Sequence, residues 1–175
     1  MRTITKTVKL FKFCELSEVG KDKAKMDMAI MGYSWADEAL ESIQELAKHF
    51  GGRVKNYSID WFESSCSSMS FDMPEDMTKT EIRKRLRDLG KYNRKTGRGL
   101  GECKLTGFCM DEDAIDGFRA AFKDGVTDLN ELMQAAYETW LRAAQDDCAY
   151  QFSDETFSEM CEANNYEFTE DGSMS

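Results

Sequence analysis

A chain of 175 residues, 41% of them hydrophobic, is long enough to bury a core and too apolar to be disordered throughout. The formal net charge of −10 excludes a generally basic protein, and no run of about 20 apolar residues is present that could cross a membrane. The N-terminus lacks the apolar block of a signal peptide. We therefore expect one cytoplasmic domain over residues 1–175.

The first elements follow from alternation and helix caps. Thr3–Phe13 alternates apolar and polar residues and predicts a strand. Ser17 is placed to cap a helix over Glu18–Met31, and Ser34 to cap a second helix that ends near Phe50. The second helix has a clear apolar face, formed by Ala39, Leu40, Ile43, Leu46 and Ala47.

The middle of the chain predicts a β-hairpin and a basic helix. Arg53–Phe62 and Ser64–Met73 alternate and are separated by a short turn. Thr78 and Glu81 have the spacing of a capping box, which predicts a helix to about Leu89. The following segment, 90–101, is glycine-rich and without periodicity, which predicts a loop.

The last third predicts three more helices between two short strands. The strands are expected at 103–109 and 166–169, and the first helix at 111–122. Thr127 is placed to cap a long helix whose apolar periodicity runs through Ala144, and Ser153 is placed to cap a short helix to Ala163. The core is expected to contain Trp140, Leu132, Met133, Ile43, Leu40 and Trp61. Together these elements predict an α+β fold: a small, mostly antiparallel sheet of three to five strands with helices packed on one face.

No pattern in the sequence predicts catalysis or a cofactor. The glycines at 97, 99 and 101 do not follow a strand and do not open a helix, as a dinucleotide loop would. The acids from Asp111 to Asp116 fail the calcium-loop pattern, because the residue at the twelfth position is Phe122. With His49 as the single histidine, and with Cys103 and Cys109 six residues apart, neither a triad nor a zinc site is expected. We therefore expect no enzyme, no metal and no cofactor.

A basic arm over residues 79–104 interrupts an acidic chain. It holds ten Lys or Arg against three acids, whereas residues 105–175 hold three basic residues against seventeen acids. Such a cluster is typical of a segment that contacts nucleic acid or an acidic protein patch, although a merely solvated helix face has the same composition. The predicted polyanion-binding residues are Arg83, Lys84, Arg87, Lys91, Arg94, Lys95 and Arg98.

The second predicted helix carries a row of acids opposite its apolar face. Asp37, Glu38, Glu41 and Glu45 recur at three- and four-residue spacing, so their carboxylates follow one side of the helix. A row of negative charges at a few ångströms resembles the phosphate spacing of DNA, although ordinary solubility charge gives the same pattern. These four residues are the predicted acidic partner-binding site.

Three blocks, two near the chain ends and one between them, carry a resemblance. They are KLFKFCELSEVGKDKA, KLTGFCMDED and YQFSDETFSEMCEANNYEFTEDG. They resemble a family of small acidic proteins carried by phages and other mobile elements of gut bacteria. Cys14 stands where an acid is usual in that family, and Gly20 where alanine is usual. The resemblance covers about half of the chain, leaves out the basic arm and brings no catalytic residues.

The resemblance implies a role in conflict between phage and host. We therefore expect an anti-defence inhibitor, an anti-CRISPR or anti-restriction protein, that binds a nucleic-acid-handling enzyme such as a CRISPR nuclease and blocks it stoichiometrically. Two alternatives stay open. One is a small DNA- or RNA-binding regulator that uses the basic arm, and the other is an antitoxin-like partner protein. No membrane partner is expected.

Overall fold

The computed structural model describes the backbone of residues 7–29, 32–89, 91–92, 99–100 and 105–175. In chain order its elements are α1 (Glu18–Ala29), α2 (Ala36–His49), β1 (Arg53–Ser58), β2 (Ser68–Asp72), α3 (Lys79–Asp88), β3 (Lys91–Tyr92), β4 (Gly99–Leu100), α4 (Met110–Lys123), α5 (Leu129–Gln151) and α6 (Asp154–Ala163). None of the helices in the described ranges is long and apolar enough to span a membrane. The fold class is α+β, as the sequence predicts.

The contacts divide the chain into two compact units. The first combines residues 1–34 with residues 148–175, and the second is the continuous segment 35–147. The prediction of a single domain over 1–175 stays a prediction, because a grouping of contacts does not by itself define what folds independently.

The first unit joins the two ends of the chain around an aromatic core. Phe13, Phe157 and Phe168 are buried, and the rings of Phe13 and Phe157 are 4.8 Å apart. The C-terminal segment lies against α1 at Gly20: a Cβ at Gly172, which has φ +88°, would collide with the Gly20 carbonyl oxygen. Gly172 therefore permits the close backbone contact between the C-terminal segment and α1.

The second unit has a helical core built from α2, α4 and α5. Phe50, at the end of α2, stacks on Phe118 of α4 with ring centroids 4.3 Å apart. Trp140 of α5 is fully buried, and its indole nitrogen donates a hydrogen bond to the Ala39 carbonyl at 2.8 Å. Gly117 permits close approach of α4 and α5, since a Cβ there would lie 2.6 Å from the Ala135 carbonyl oxygen. These contacts fix which side of α2 faces solvent.

The predicted core is largely confirmed. Ile43, Leu132, Met133 and Trp140 are fully buried, whereas Leu40 and Trp61 are half-buried. The Trp61 ring packs edge-on to Trp140 at 6.0 Å.

The predicted three- to five-stranded sheet is wrong, since each sheet in the described ranges has two strands. β1 pairs with β2 in an antiparallel register from Arg53–Asp72 to Ser58–Ser68, with a bulge at Lys55. β3 and β4 form a second two-stranded pair within the segment predicted as loop. Because β1 is exposed at nearly every position, the hairpin supplies little core and the helices pack mainly on one another.

Three predicted strands are absent from the described residues. In place of the first, residues 7–12 are irregular and Phe13–Glu15 is a 3-10 turn; residues 1–6 lie outside the described ranges. The predicted last strand is reduced to single bridges from Phe168 to Phe11 and to Met174. Residues 105–109, the described part of the third, form a turn. Alternation alone does not make a strand when its neighbour is too short to continue the ladder.

The helix caps are confirmed at three sites and corrected at two. Thr78 and Glu81 form the predicted capping box of α3, and the hydroxyls of Ser17 and Ser153 accept backbone hydrogen bonds. At α2 the residue at the cap is Trp35 and not Ser34. At α5 the carboxylate of Asp128, one residue after Thr127, accepts from the Glu131 amide at 2.9 Å.

Candidate functional site

The acidic face of α2 is an exposed row of carboxylates, most of which make no ion pair in the described ranges. The buried side chains Ile43 and Leu46 hold the opposite face of the helix in the core. Asp37, Glu38 and Glu41 are exposed and make no ion pair with any described residue. Asp37 and Glu41, one turn apart, are separated by about 6 Å along the axis. Three of the four predicted acids are therefore exposed and carry no ion pair to the residues that the structure describes.

Glu45, the fourth predicted acid, is engaged within its own helix. Its carboxylate pairs with Lys48 at 2.9 Å, and this hydrogen bond raises the pKa of Lys48. The side chain of Glu45 is also only 37% exposed. The negative field of α2 is accordingly concentrated in its first two turns, which carry Asp37, Glu38 and Glu41. We call these three residues the acidic row.

An aromatic pair that the sequence analysis missed lies at the start of α2. Trp35, at the start of α2, is 47% exposed, and its ring lies 6.2 Å from that of Phe108 at an interplanar angle of 43°. The sequence does not reveal that Trp35 is exposed, because Trp35 precedes the buried Ala39 by four residues and so continues the apolar periodicity of α2. An indole directly before an acidic first turn is the signal that could have found it.

Phe108 is held in place by a buried carboxylate. Asp111, in the first turn of α4, is fully buried, and its side chain accepts from the Thr106 and Gly107 amides at 3.0 and 2.8 Å and from the Thr106 hydroxyl at 2.9 Å. The Phe108 amide in turn donates to the Thr106 hydroxyl oxygen at 3.1 Å. The sequence predicted that a helix would begin at Asp111; the structure makes the Asp111 carboxylate the anchor of the 105–109 turn.

The same turn is joined to α2. The hydroxyl oxygens of Ser42 and Thr106 are 3.3 Å apart, and Ser42 also reaches the Glu38 carbonyl at 3.2 Å. Ser42 and Asp111 are the two fully buried polar side chains of the described chain. Buried polar groups that are satisfied in this way favour one defined arrangement of the backbone.

Further acids of α4 repel one another. Burial raises the pKa of Asp113, and the charges of Asp116 and Glu112 raise it further. Burial also raises the pKa of Asp116, although the nearby Arg119 guanidinium, 3.4 Å away, acts in the opposite direction. The second unit therefore holds further carboxylates beyond those of the acidic row.

Among the described residues no group of three or more His, Cys, Asp or Glu has the arrangement of a metal site.

The basic arm is described in part. Arg83, Lys84 and Arg87 are exposed on α3 and make no ion pair with the described residues. Arg85 is used structurally: its guanidinium donates to the His49 carbonyl oxygen, and the His49 ring nitrogen lies 3.0 Å from the Arg85 carbonyl oxygen. The other predicted cations have side chains outside the described residues: Lys91, Arg94, Lys95 and Arg98.

A polar cavity of about 450 Å³ lies between α5 and the loop after β1. Ser64, Gln134 and Arg142 are among its lining residues, together with Tyr137. The buried hydroxyl of Tyr137 has no hydrogen-bond partner among the described residues. The lining offers hydrogen-bonding groups and one guanidinium, but it lacks a nucleophile paired with a base.

Comparison with family models, with curated proteins and with solved structures gives no match. The resemblance to small acidic proteins of phages and mobile elements therefore stays a prediction. The acidic row on α2 and the exposed cations of α3 are the features from which a function can be proposed.

Proposed function

We propose that this protein is a non-catalytic inhibitor that blocks a nucleic-acid-handling enzyme, such as a CRISPR or restriction nuclease, by occupying a cationic surface built for phosphates. The observation that carries the proposal is the acidic row, in which Asp37, Glu38 and Glu41 are exposed and make no ion pair within the described part of the chain, on a helix fixed by its buried face. The proposal places the protein in the cytoplasm of a bacterial host, where such enzymes act.

The physical reason is electrostatic complementarity. A groove lined with Lys and Arg attracts a row of carboxylates as it attracts phosphates. Because the backbone of α2 is already folded, the carboxylates keep their spacing when they bind. Like charges one turn apart slightly destabilise a helix. A cationic partner would relieve that repulsion. Binding of this kind is stoichiometric, weakens with salt and competes with DNA.

The test is inhibition of a purified nuclease. A pull-down from a host lysate supplies candidate enzymes, and cleavage of a DNA substrate is then measured against inhibitor concentration at several ionic strengths. We expect a titration that ends at a fixed molar ratio, a loss of potency as salt rises, and weaker inhibition when DNA is bound first. Inactivation of many enzyme molecules by one inhibitor molecule would contradict the proposal, because it would require catalysis.

A matched pair of variants assigns the effect to α2. One variant changes Asp37, Glu38, Glu41 and Glu45 to Lys; the control changes four exposed acids of the first unit, Glu155, Glu159, Glu162 and Glu167, to Lys. Both change the net charge from −10 to −2. We expect the first variant to lose inhibition and the control to retain it. Equal loss in both would mean that overall charge, and not the row on α2, is responsible.

A second candidate function rests on α3. Its three exposed cations, which make no ion pair to a described residue, suit contact with a nucleic-acid backbone. A gel shift of wild-type protein and of a variant with Arg83, Lys84 and Arg87 changed to Glu tests it. Salt-sensitive binding that the variant loses would favour a nucleic-acid-binding regulator. Absence of binding by the wild type would leave the inhibitor as the better proposal.

A further inference from the structure

The β-hairpin of the second unit is a two-stranded sheet with little support from the core. In the described ranges β1 and β2 pair only with each other, so each strand leaves one outer edge without a neighbouring strand. β1 is exposed at nearly every position, and the hairpin therefore buries few side chains. A two-stranded sheet is of marginal stability by itself, and a further strand added at an edge stabilises it.

The two edges differ in how they are protected against pairing. A bulge at Lys55 interrupts the register of β1, and Arg53 and Lys55 add positive charge to that strand. Bulges and lysine side chains are common means by which edge strands avoid pairing with another chain. β2 pairs through consecutive residues from Ser68 to Asp72 and contains no Lys, Arg or Pro. The outer edge of β2 is therefore the one that suits a further strand.

The sequence of β2 is complementary to a second copy of itself. When two β2 strands pair antiparallel about Ser70, that residue lies opposite its own copy. Each Ser68 then lies opposite an Asp72, whose carboxylate can accept from the serine hydroxyl. Each Met69 lies opposite a Phe71, which is a favourable contact between a thioether and an aromatic ring. No like charges are opposed in this register.

The side chains of β2 divide between its two faces as such a pairing requires. Met69 is buried and Phe71 half-buried on one face, whereas the serines and Asp72 are exposed on the other. The Arg53 guanidinium donates to Oδ2 of Asp72 at 3.0 and 2.8 Å, so Oδ1 can accept from the serine of a second copy. Pairing thus covers more of Phe71 while the charge of Asp72 keeps its partner.

We propose that two copies of this protein associate through the outer edges of β2, antiparallel about Ser70, with the strand order β1–β2–β2–β1. The pairing adds about four to six backbone hydrogen bonds, depending on which alternate residues point outward. With five residues from each copy, the contact is smaller than the usual stable interface of about 1,600 Å², so the dimer is weak and forms at high concentration. This inference does not rest on the proposed function.

Sedimentation velocity of the full-length protein tests the association. The wild type is measured from about 1 to 500 µM, because mass action favours the dimer at high concentration. Ser70 is exposed, and Ser70→Lys or Ser70→Glu places like charges opposite each other at the two-fold axis. Each variant should associate about threefold to tenfold more weakly than wild type. An equimolar mixture of the two variants places opposite charges there and should associate at least as strongly as wild type.

Asn56→Lys is the matched control. Asn56 is exposed and is the partner of Ser70 within the hairpin, so the substitution adds the same charge to the same sheet, but on the strand away from the proposed contact. This variant should associate as wild type does. Thermal melts establish that each variant is folded.

Three results would overturn the inference. The first is a wild type that stays monomeric at the highest concentration. The second is association that Ser70→Lys leaves unchanged or that Asn56→Lys weakens equally, because the contact would then lie elsewhere or depend on overall charge. The third is a mixture of the Lys and Glu variants that associates no better than either alone, because the strands would then not pair about Ser70. Each result leaves the inhibition assay of the acidic row unaffected.

Discussion

Replacing Asp111 tests whether the turn that carries Phe108 depends on one buried carboxylate. Alanine removes all three hydrogen bonds and leaves the Thr106 and Gly107 amides and the Thr106 hydroxyl without their acceptor. A hydrogen bond to a charged group contributes about 1.5–3 kcal/mol, and a donor left unpaired costs a comparable amount. Because the turn is only part-buried and water can replace some bonds, we expect Asp111→Ala to cost about 3–5 kcal/mol.

Asparagine is the matched control. Its carbonyl oxygen can still accept from both amides, while its NH2 group faces the Thr106 hydroxyl, which can accept instead of donating. We expect Asp111→Asn to cost about 1–2 kcal/mol, as one charge-assisted bond is replaced by a neutral one. The measurement is urea unfolding followed by tryptophan fluorescence, with the slope against urea compared among the three proteins.

Two results would refute this reasoning about Asp111. A cost below about 1 kcal/mol for the alanine variant would mean that the hydrogen bonds contribute no net stability. An asparagine variant as unstable as the alanine variant would mean that the negative charge, and not the pattern of acceptors, holds the turn.

Three further predictions concern stability. Trp140→Ala should cost about 3–5 kcal/mol in urea unfolding, because it empties a fully buried site; an unchanged cooperative melt would contradict this. Gly172→Ala should loosen the C-terminal segment, because the new Cβ would collide with the Gly20 carbonyl oxygen at a position whose φ is +88°. We expect faster amide exchange around residue 172 in this variant. Gly125→Ala is the control, because a Cβ there would meet nothing within 4 Å. The hydrogen bond from the Lys23 ammonium holds the pKa of Asp171 well below its ordinary value of 3.8. The ion pair therefore stabilises the fold at pH values above 3.8, and this stabilisation is lost as the pH falls towards the lowered pKa. Asp171→Asn should therefore lower the melting temperature at pH 7 and approach wild type in strong acid; a constant difference would contradict the linkage.

Local sequence signals determined most of the helices. The capping box of Thr78 and Glu81 and the Ser153 cap placed the starts of α3 and α6 correctly, because these side chains satisfy amides within their own first turn. The apolar periodicity of α2 and α5 likewise identified Ile43, Leu132 and Trp140 as core. Such signals depend on residues three or four apart, which the sequence displays directly.

The strands depended on partners that the sequence does not display. Thr3–Phe13 has a strand-like pattern, yet within its described part only Phe11 finds a bridging partner, at Phe168 near the other end of the chain. A ladder needs a neighbour of matching length, and that is decided by the whole chain. The hairpin of β1 and β2 was predictable because its two strands are close in sequence.

The candidate site likewise combines features set by local sequence with features set by contacts between distant residues. The sequence by itself determined the row Asp37, Glu38 and Glu41, because helix spacing and the buried opposite face follow from periodicity. Only the tertiary structure decided that the Arg85 guanidinium is engaged by the His49 carbonyl oxygen. It also decided that Asp111 is buried and that the Trp35 ring lies beside Phe108, 73 positions further along the chain. Exposure and long-range contact arise from packing, and a local pattern cannot distinguish an apolar residue that completes a core from one that stays at its edge.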